Sequence, residues 1–337
     1  MKEKDNGMID VEVSREAAEA TERIRRHIES LPEEKRPKVC IKCITYNHGE
    51  FIREALDGFL MQQTDFPFVA IVHDDASTDN TADIVREYAE RYPDIIFPIF
   101  ETENQYRKPG GPLTKIMQDA IDATGARYVA MCEGDDYWTS PHKLQLQADF
   151  LDTHPDYVMV TTRYHSYFQS SGKMIEEPRP DYDDYDYTWL AKEGIWPMAT
   201  LVTMYRAAAL NINRYLKYPS RIDAVLFWNL LQAGKGHLLP DFTAIYRIHD
   251  GGAWSGLSED QKWNFDFKFR MGIHNVDKSI ESLKLIKNTL RRHNCGRKKV
   301  FKSRRSEFTT ILKHITKIEG LRCCIGFLLK YIKTGLV

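Results

Sequence analysis

Between Val39 and Cys132 the chain alternates short apolar runs with stretches of helical period, and no other feature limits its fold as much. Val39–Thr45, Phe68–Val72, Ile95–Phe100 and Tyr128–Cys132 are rich in apolar and β-branched residues and read as strands. Between them Phe51, Ile52, Ala55, Leu56, Phe59 and Leu60 recur at helical spacing, as do Ala82, Ile84, Val85, Tyr88 and Ala89, and Leu113–Ile121 is a third helical stretch. Short buried strands separated by helices predict an α/β fold, a Rossmann-like and mostly parallel sheet with helices on its faces. At 337 residues the chain is long enough for about two domains of roughly 150 residues. A charged lead-in, 1–37, carries a helix over Val13–Ser30, closed by Pro32 and Pro37. The α/β body spans 38–258, and a basic helical region fills 259–337. Within the body the alternation loosens after about residue 165. The acidic, tyrosine-rich run from Glu176 to Tyr187 reads as a loop or insertion. Strands are expected at Thr200–Tyr205 and Thr243–Ile248, with a helix over Ile222–Ala233 between them.

In parallel α/β sheets ligands bind beyond the carboxyl ends of the strands, so the residues following each strand carry the functional signal. The first strand ends in Thr45-Tyr46-Asn47-His48. The second ends in His73-Asp74-Asp75, followed by Ser77, Thr78 and Asp79. The fourth is followed by Glu133-Gly134-Asp135-Asp136. That last turn holds three carboxylates in four residues. Like charges so close repel, and a bound divalent cation relieves them; hard oxygen ligands suit Mg²⁺ or Mn²⁺ bridging substrate phosphates. The alternative is an acidic helix start, with Ser140-Pro141 opening the next helix. A carboxylate at Asp74 or Asp75 can accept a nucleobase N–H, against the plainer reading of turn and cap chemistry. No G-x-G-x-x-G or Walker A sequence is present, so a dinucleotide or P-loop site is not supported. Cys40 and Cys43 form a C-x-x-C, but on a strand an offset of three residues points them to opposite faces, and no second pair completes a zinc set.

The segments CITYNHGEFIREAL, IVHDDASTDNTADIV, YVAMCEGDDYWTSPHKLQLQ, RIDAVLFWNLLQAGKG and YRIHDGGAWSG, in this order, resemble family 2 glycosyltransferases, sugar-nucleotide-dependent enzymes of the GT-A fold. The resemblance runs from about Val39 to Ser255. It implies that Thr45, Tyr46 and Asn47 form the first nucleotide-binding loop. It implies that Asp75, with Asp74 beside it, contacts the base, commonly uracil. Glu133, Asp135 and Asp136 match the D-x-D-type motif that holds a divalent metal on the donor diphosphate. Glu133 stands where the family's first Asp is usual, which leaves the exact ligand set open, and the resemblance favours Asp135 and Asp136 as the metal ligands. Asp223 falls where the family places its general base, although Ile222 stands where an acidic partner is frequent. Arg247 and His249, in a Y-R-x-H element with Tyr246, match positions near the diphosphate. The implied reaction is inverting transfer from a nucleoside-diphosphate sugar, UDP first, to a glycan or lipid-linked hydroxyl, in bacterial-type surface polysaccharide synthesis. Two rival classes remain: a sugar-nucleotide hydrolase or nucleotidyltransferase, which forms product without an acceptor sugar, and a silent nucleotide-binding protein, which does not turn over.

Formal net charge is −1, yet Asp260–Val337 holds 19 Lys and Arg against 6 Asp and Glu. An acidic body with a basic tail is a statement about partners. Ile311, Leu312, Ile315 and Ile318, then Leu321, Ile325, Leu328, Leu329 and Ile332, repeat at helical spacing among these cations. The tail reads either as a membrane-surface helix or as a helix packed on the body, as in a homodimer contact. No nucleic-acid motif accompanies the charge. The polar opening MKEKDNGMIDVEVSREAAEA carries no secretory pattern, and no apolar run approaches the roughly 18 residues of a spanning helix. The expectation is a cytoplasmic protein, peripheral on the inner face of the membrane. The run WNFDFKF is compatible with strand or helix.

Overall fold

The computed structural model describes residues 11–178, 182–193, 199–219, 222–252 and 256–292. Among these the chain divides into two compact units, bounded by Met1–Asp186 with Trp196–Asp250, and by Tyr187–Ile195 with Gly251–Val337. The lead-in 1–37, set apart on sequence grounds, belongs to the first unit. The division also falls at 250/251 rather than 258/259.

In chain order the elements are α1 (Arg15–Ser30), β1 (Val39–Thr45), α2 (Ile52–Leu60), β2 (Phe68–Asp74), α3 (Thr81–Arg91), β3 (Ile96–Phe100), α4 (Pro112–Thr124), β4 (Tyr128–Met131), β5 (Tyr137–Trp138), α5 (Lys143–Thr153), β6 (Tyr157–Phe168), β7 (Lys173–Glu176), β8 (Asp184–Tyr185), α6 (Tyr187–Glu193), β9 (Thr203–Arg206), α7 (Ile212–Tyr215), α8 (Asp223–Leu230), β10 (Lys235–Ile248), α9 (Glu259–Asp277) and α10 (Ile280–Arg292). The run from Glu176 to Tyr187, read as a loop, thus holds the end of β7 and the short β8.

One sheet of the first unit runs β3-β2-β1-β4-β9-β6-β10-β5. The pairs among β1 to β4 are parallel, as the apolar runs predict. Beyond β4 the sheet is mixed: β9 is antiparallel to both β4 and β6, β10 is parallel to β6, and β5 is antiparallel to β10. The order reverses between β1 and β4, because the chain winds outward through β2 and β3 and then returns to the other side of β1. Such a switch point opens a crevice at the carboxyl ends of the two strands. Here those ends are Thr45 and Met131.

Packing sets this edge. Ile52, Ala55, Leu56 and Phe59 are fully buried on one face of α2, against a core that includes Ile41, Cys43, Ala130, Trp138 and Leu144. A Cβ on Gly58 would lie 3.0 Å from the Trp138 backbone nitrogen, so a larger residue there would push α2 and β5 slightly apart. A Cβ on Gly134 would lie 2.5 Å from Thr45 Oγ1, so glycine is required where the chain leaves β4 against the tip of β1.

Lys143 is fully buried in this core. Its Nζ lies 4.2 Å above the Trp138 ring and donates to Gln147 Oε1 at 2.7 Å. Gln147 Nε2 in turn donates to the carbonyls of Val160 and Val202, at 3.1 and 2.8 Å. Burial pushes the Lys143 ammonium down to about 7. The unfolded lysine titrates at its ordinary, higher value, so the unfolded chain binds more protons between about pH 7 and 10.5. Stability from this group therefore rises with pH across that window and is lowest below it. Lys143→Met should raise stability by roughly 1–3 kcal/mol at pH 6, after the lost Gln147 bond is counted, and by less at pH 9.5. Denaturant titrations of both proteins at the two pH values measure this; a constant difference would refute it.

In the second unit α10 packs on α6 and α9, burying Phe269, Met271, Ile273, Leu283, Leu285 and Ile286. His274 Nδ1 and Ser282 Oγ lie 2.8 Å apart across the α9–α10 pair. Ser258 and Gln261 form a capping box at the start of α9, which makes the run WNFDFKF helical. The amphipathic basic stretch from Ile311 to Ile332 lies outside the described residues.

Candidate active site

Three strand tips build the site. Beyond β1, Asn47 takes a left-handed conformation, φ 55°, which asparagine tolerates better than most residues. Its N–H donates to Ser77 Oγ at 2.8 Å, and its Oδ1 accepts the Thr78 N–H at 2.7 Å. The N–H groups of His48 and Gly49 donate to Thr81 Oγ1 and Asp79 Oδ2, at 2.8 and 2.9 Å. Ser77, Thr78 and Asp79 therefore tie the loops after β1 and β2 together. Tyr46 is half-buried, with the Arg107 guanidinium 6.0 Å from its ring centre.

At the β2 tip the adjacent acids separate. Both oxygens of Asp75 accept backbone N–H groups, from Gln105 at 2.6 Å and from Tyr106 at 3.0 Å. Asp74 Oδ2 accepts the Ser77 N–H at 3.2 Å, while its buried Oδ1 has no hydrogen-bond partner among the described residues. Burial raises the Asp74 carboxyl above its ordinary value.

After β4 the three carboxylates also divide. Asp136 is buried, and its Oδ1 accepts the Arg247 N–H at 2.8 Å. Burial and the neighbouring Asp135 charge push its carboxyl well above the ordinary range. Asp135 Oδ2 lies 3.3 Å from His249 Nε2 and 3.7 Å from His48 Nε2. Burial acts to raise Asp135, but the His249 hydrogen bond and the His48 charge outweigh it and hold the carboxyl low. Glu133 interacts with both acids through charge. Burial and the Asp135 charge raise the Glu133 carboxyl to about 7, opposed by a Thr200 hydrogen bond and the Lys42 charge, and its Oε2 lacks a hydrogen-bond partner among the described residues. In the parallel register Lys42 sits opposite Met131, two residues before Glu133, so the two share a sheet face.

Arg247 is a clamp. Its Nε donates to the Asp135 carbonyl at 2.9 Å, its Nη1 donates to Gln169 Oε1 at 2.7 Å, and its Nη2 pairs with Glu54. The guanidinium also lies over the Phe51 and Tyr137 rings, at 4.8 and 5.1 Å. His249 packs on Phe51, with ring centres 4.7 Å apart.

Asp223 opens α8, and its Oδ1 accepts the Ala224 N–H at 2.7 Å. It is open to solvent, yet crowding by surrounding protein raises its carboxyl, opposed by the Lys42 charge. A carboxylate reachable by solvent on one side and walled by protein on the other can accept a proton from a bound hydroxyl. The charges of Lys42, Glu133 and Asp223 act on one another.

The structure thus gathers Thr45, Glu133, Asp135, Asp136, Arg247 and His249 at the switch point and sets Asp74, Asp75, Tyr46 and Asn47 beside them. Lys42, His48 and Glu54 carried no role in the sequence reading. Lys42 had a signal, a lone charge inside an apolar strand. Glu54 had none, because its partner is far along the chain. Among the described residues no group of three His, Cys, Asp or Glu side chains is arranged to hold a metal. The adjacent carboxylates of Asp135 and Asp136 nonetheless fit a hard divalent cation. Mg²⁺-type ions are held by one or two carboxylates, with substrate phosphate oxygens completing the shell.

Residues 40–206 match the sequence profile of Glycosyl transferase family 2. The chain belongs to glycosyltransferase family 2. An uncharacterized protein of Mycobacterium tuberculosis is 35% identical to it over 227 residues, covering 66% of this chain and 62% of the relative. The chain thus spans just under two thirds of that relative's length. The poly(ribitol-phosphate) beta-glucosyltransferase of Bacillus spizizenii is 25% identical over 68% of this chain and 35% of that protein. Residues 1–349 of Staphylococcus aureus TarS, solved with UDP-GlcNAc, superpose with a TM-score of 0.56 at 20% identity, covering 83% of this chain and 81% of that fragment. The mannosyltransferase PcManGT of Pyrobaculum calidifontis, solved with GDP-Man and Mn²⁺, gives 0.53 at 18% identity, over 96% and 88% of the two chains. The fold of this family 2 glycosyltransferase is GT-A, a mostly parallel sheet at the switch point flanked by helices.

Proposed function

We propose that this family 2 glycosyltransferase moves a sugar from a nucleoside-diphosphate sugar, a UDP-sugar first, to a hydroxyl of a glycan or lipid-linked acceptor, with inversion at the anomeric carbon. One observation carries the reading: two adjacent carboxylates, Asp135 and Asp136, sit beyond β4 at the switch point, with Asp223 at the start of α8 and open to solvent. Asp74 Oδ1 accepts the N–H of the base, while Asp75 holds the adjoining loop. Asp135 and Asp136 would hold a divalent cation, Mn²⁺ or Mg²⁺, which would supply charge neutralisation at the diphosphate. His249 and His48 orient the Asp135 carboxylate. Arg247 fixes the turn that carries both acids, rather than reaching the diphosphate itself. Asp223 takes the proton of the acceptor hydroxyl as its oxygen bonds to the anomeric carbon. The bond from that carbon to the diphosphate oxygen breaks, and the electron pair leaves with the nucleotide. General-base help is worth about 10²–10⁴-fold, and positioning supplies much of the remainder.

Surface-polysaccharide synthesis at the cytoplasmic face of a membrane suits this chemistry, with the basic region after Asp260 facing anionic lipid. Among the described residues no helix is long and apolar enough to cross a membrane. The test is a panel of UDP-, GDP- and dTDP-sugars followed by thermal shift, with and without Mn²⁺. A donor at a hundredfold its Kd should stabilise the protein by about 2.7 kcal/mol, and only with the cation present. No shift with any nucleotide would overturn the reading, and sugar release without an acceptor would mark a hydrolase.

A further inference from the structure

The loop that satisfies Asp75 is itself held by a chain of side chains that begins on α1. Glu101 follows β3, its side chain is wholly shielded from solvent, and its N–H donates to the Asp74 carbonyl at 3.0 Å. Glu101 Oε1 accepts the Ser14 hydroxyl at 2.8 Å and lies 3.4 Å from His73 Nε2. Glu101 Oε2 accepts Gln105 Nε2 at 3.1 Å. Gln105 is buried as well, and Asn104 Nδ2 adds a bond to the Asp75 carbonyl at 3.2 Å. Ser14 has a second task, because its Oγ caps α1 by accepting the Ala17 N–H at 3.1 Å. Ala17, Ala20, Ile24 and Ile28 bury the apolar face of α1, which packs on α4 and β3. The helix is therefore fixed where its cap meets Glu101.

A buried carboxylate needs its donors, and the cheapest relief for a lost one is to rotate toward another. If Glu101 loses the Ser14 hydroxyl, rotation releases Gln105, and the two N–H groups on Asp75 lose their support. We propose that α1 is a positioning element of the donor site: Ser14, through Glu101 and Gln105, holds residues 103–107 in the conformation that faces the nucleotide base. This rests on the donor reading above. The segment before the α/β body then acts on nucleotide affinity and leaves the transfer step alone.

The test compares full-length wild type with Ser14→Ala, Ser14→Thr and Glu101→Gln. One net hydrogen bond corresponds to about a three- to tenfold loss. Ser14→Ala should weaken donor KM and Kd by that factor with kcat unchanged, and Ser14→Thr, which keeps the hydroxyl, should restore them. Glu101→Gln leaves the α1 cap intact and should weaken affinity as well, because its amide opposes the Gln105 amide. Amide hydrogen exchange gives an independent readout: Gln105 and Tyr106 should exchange faster in Ser14→Ala while the β3 amides do not. Unchanged exchange at these two amides with only a lower Tm would overturn the proposal, as would unchanged donor affinity in a wild type that binds nucleotide. If wild type binds no nucleotide, the donor reading fails, and the exchange comparison still decides whether α1 controls the loop.

Discussion

Asp136→Asn is expected to lower kcat for sugar transfer by about 10²-fold or more, and to make nucleotide binding insensitive to Mn²⁺. Asparagine is the informative choice. Asp136 Oδ1 already accepts the Arg247 N–H, and the amide oxygen can take over that bond. Alanine would leave a buried N–H without a partner, a cost of about 1–3 kcal/mol, and would confuse loss of the site with loss of the fold. What asparagine removes is the charge beside Asp135. Burial and that neighbour already push the Asp136 carboxyl up, so the pair strains against holding two charges without a cation. Initial rates with a responsive sugar nucleotide, with unfolding curves as control, measure the effect. Near-normal, Mn²⁺-dependent turnover in the variant would remove Asp136 from the metal site.

The second large effect belongs to Asp223. Asp223→Asn should keep donor affinity within about twofold and lose about 10²–10⁴-fold in kcat, the range for removing a general base. The acidic limb of the kcat–pH profile should also move. Crowding raises the Asp223 carboxyl, so turnover in wild type should fall on acidification at a pH above the ordinary Asp range. The residual activity of the variant should lack that limb. Lys42 opposes the shift through its charge, and Glu133 is the other titrating group acting on this cluster. A variant with unaltered kcat, or one that keeps the same acidic limb, would assign the proton to another group.

Sequence and structure agree where burial alone decides. The strands β1 to β4 are parallel and covered, so each shows as a largely apolar run, and the sequence alone lines up their tips. The far half of the sheet was less legible. β10 spans Lys235–Ile248 but pairs with β6 through register shifts near Phe242, after Pro240 and Asp241 interrupt its apolar pattern, so only Thr243–Ile248 stood out. Local sequence cannot state that β9 enters antiparallel between β4 and β6, because that depends on partners far along the chain.

The same limit governs the site. Asp74 and Asp75 are neighbours with identical chemistry, and what separates them is a loop about thirty residues later that takes both oxygens of Asp75. Arg247 was placed near the diphosphate by resemblance, yet its guanidinium is taken up by Glu54, Gln169 and the Asp135 carbonyl. Glu133 stood in the motif as a departure from the usual Asp. Its shared sheet face with Lys42, whose charge acts on it, gives that departure a physical setting. The lead-in helix, read as separate, packs on α4 and β3 because its apolar stripe needs a partner.

The central claim is that Asp135 and Asp136 hold a sugar nucleotide through a divalent cation. Calorimetric titration of the responsive nucleoside-diphosphate sugar into wild type and Asp136→Asn, each in Mn²⁺ and in EDTA, tests it most directly. Saturable one-site binding to wild type in Mn²⁺, weakened in EDTA and weakened to that same level in the variant with or without Mn²⁺, is the predicted result. Equal binding in all four titrations would contradict it.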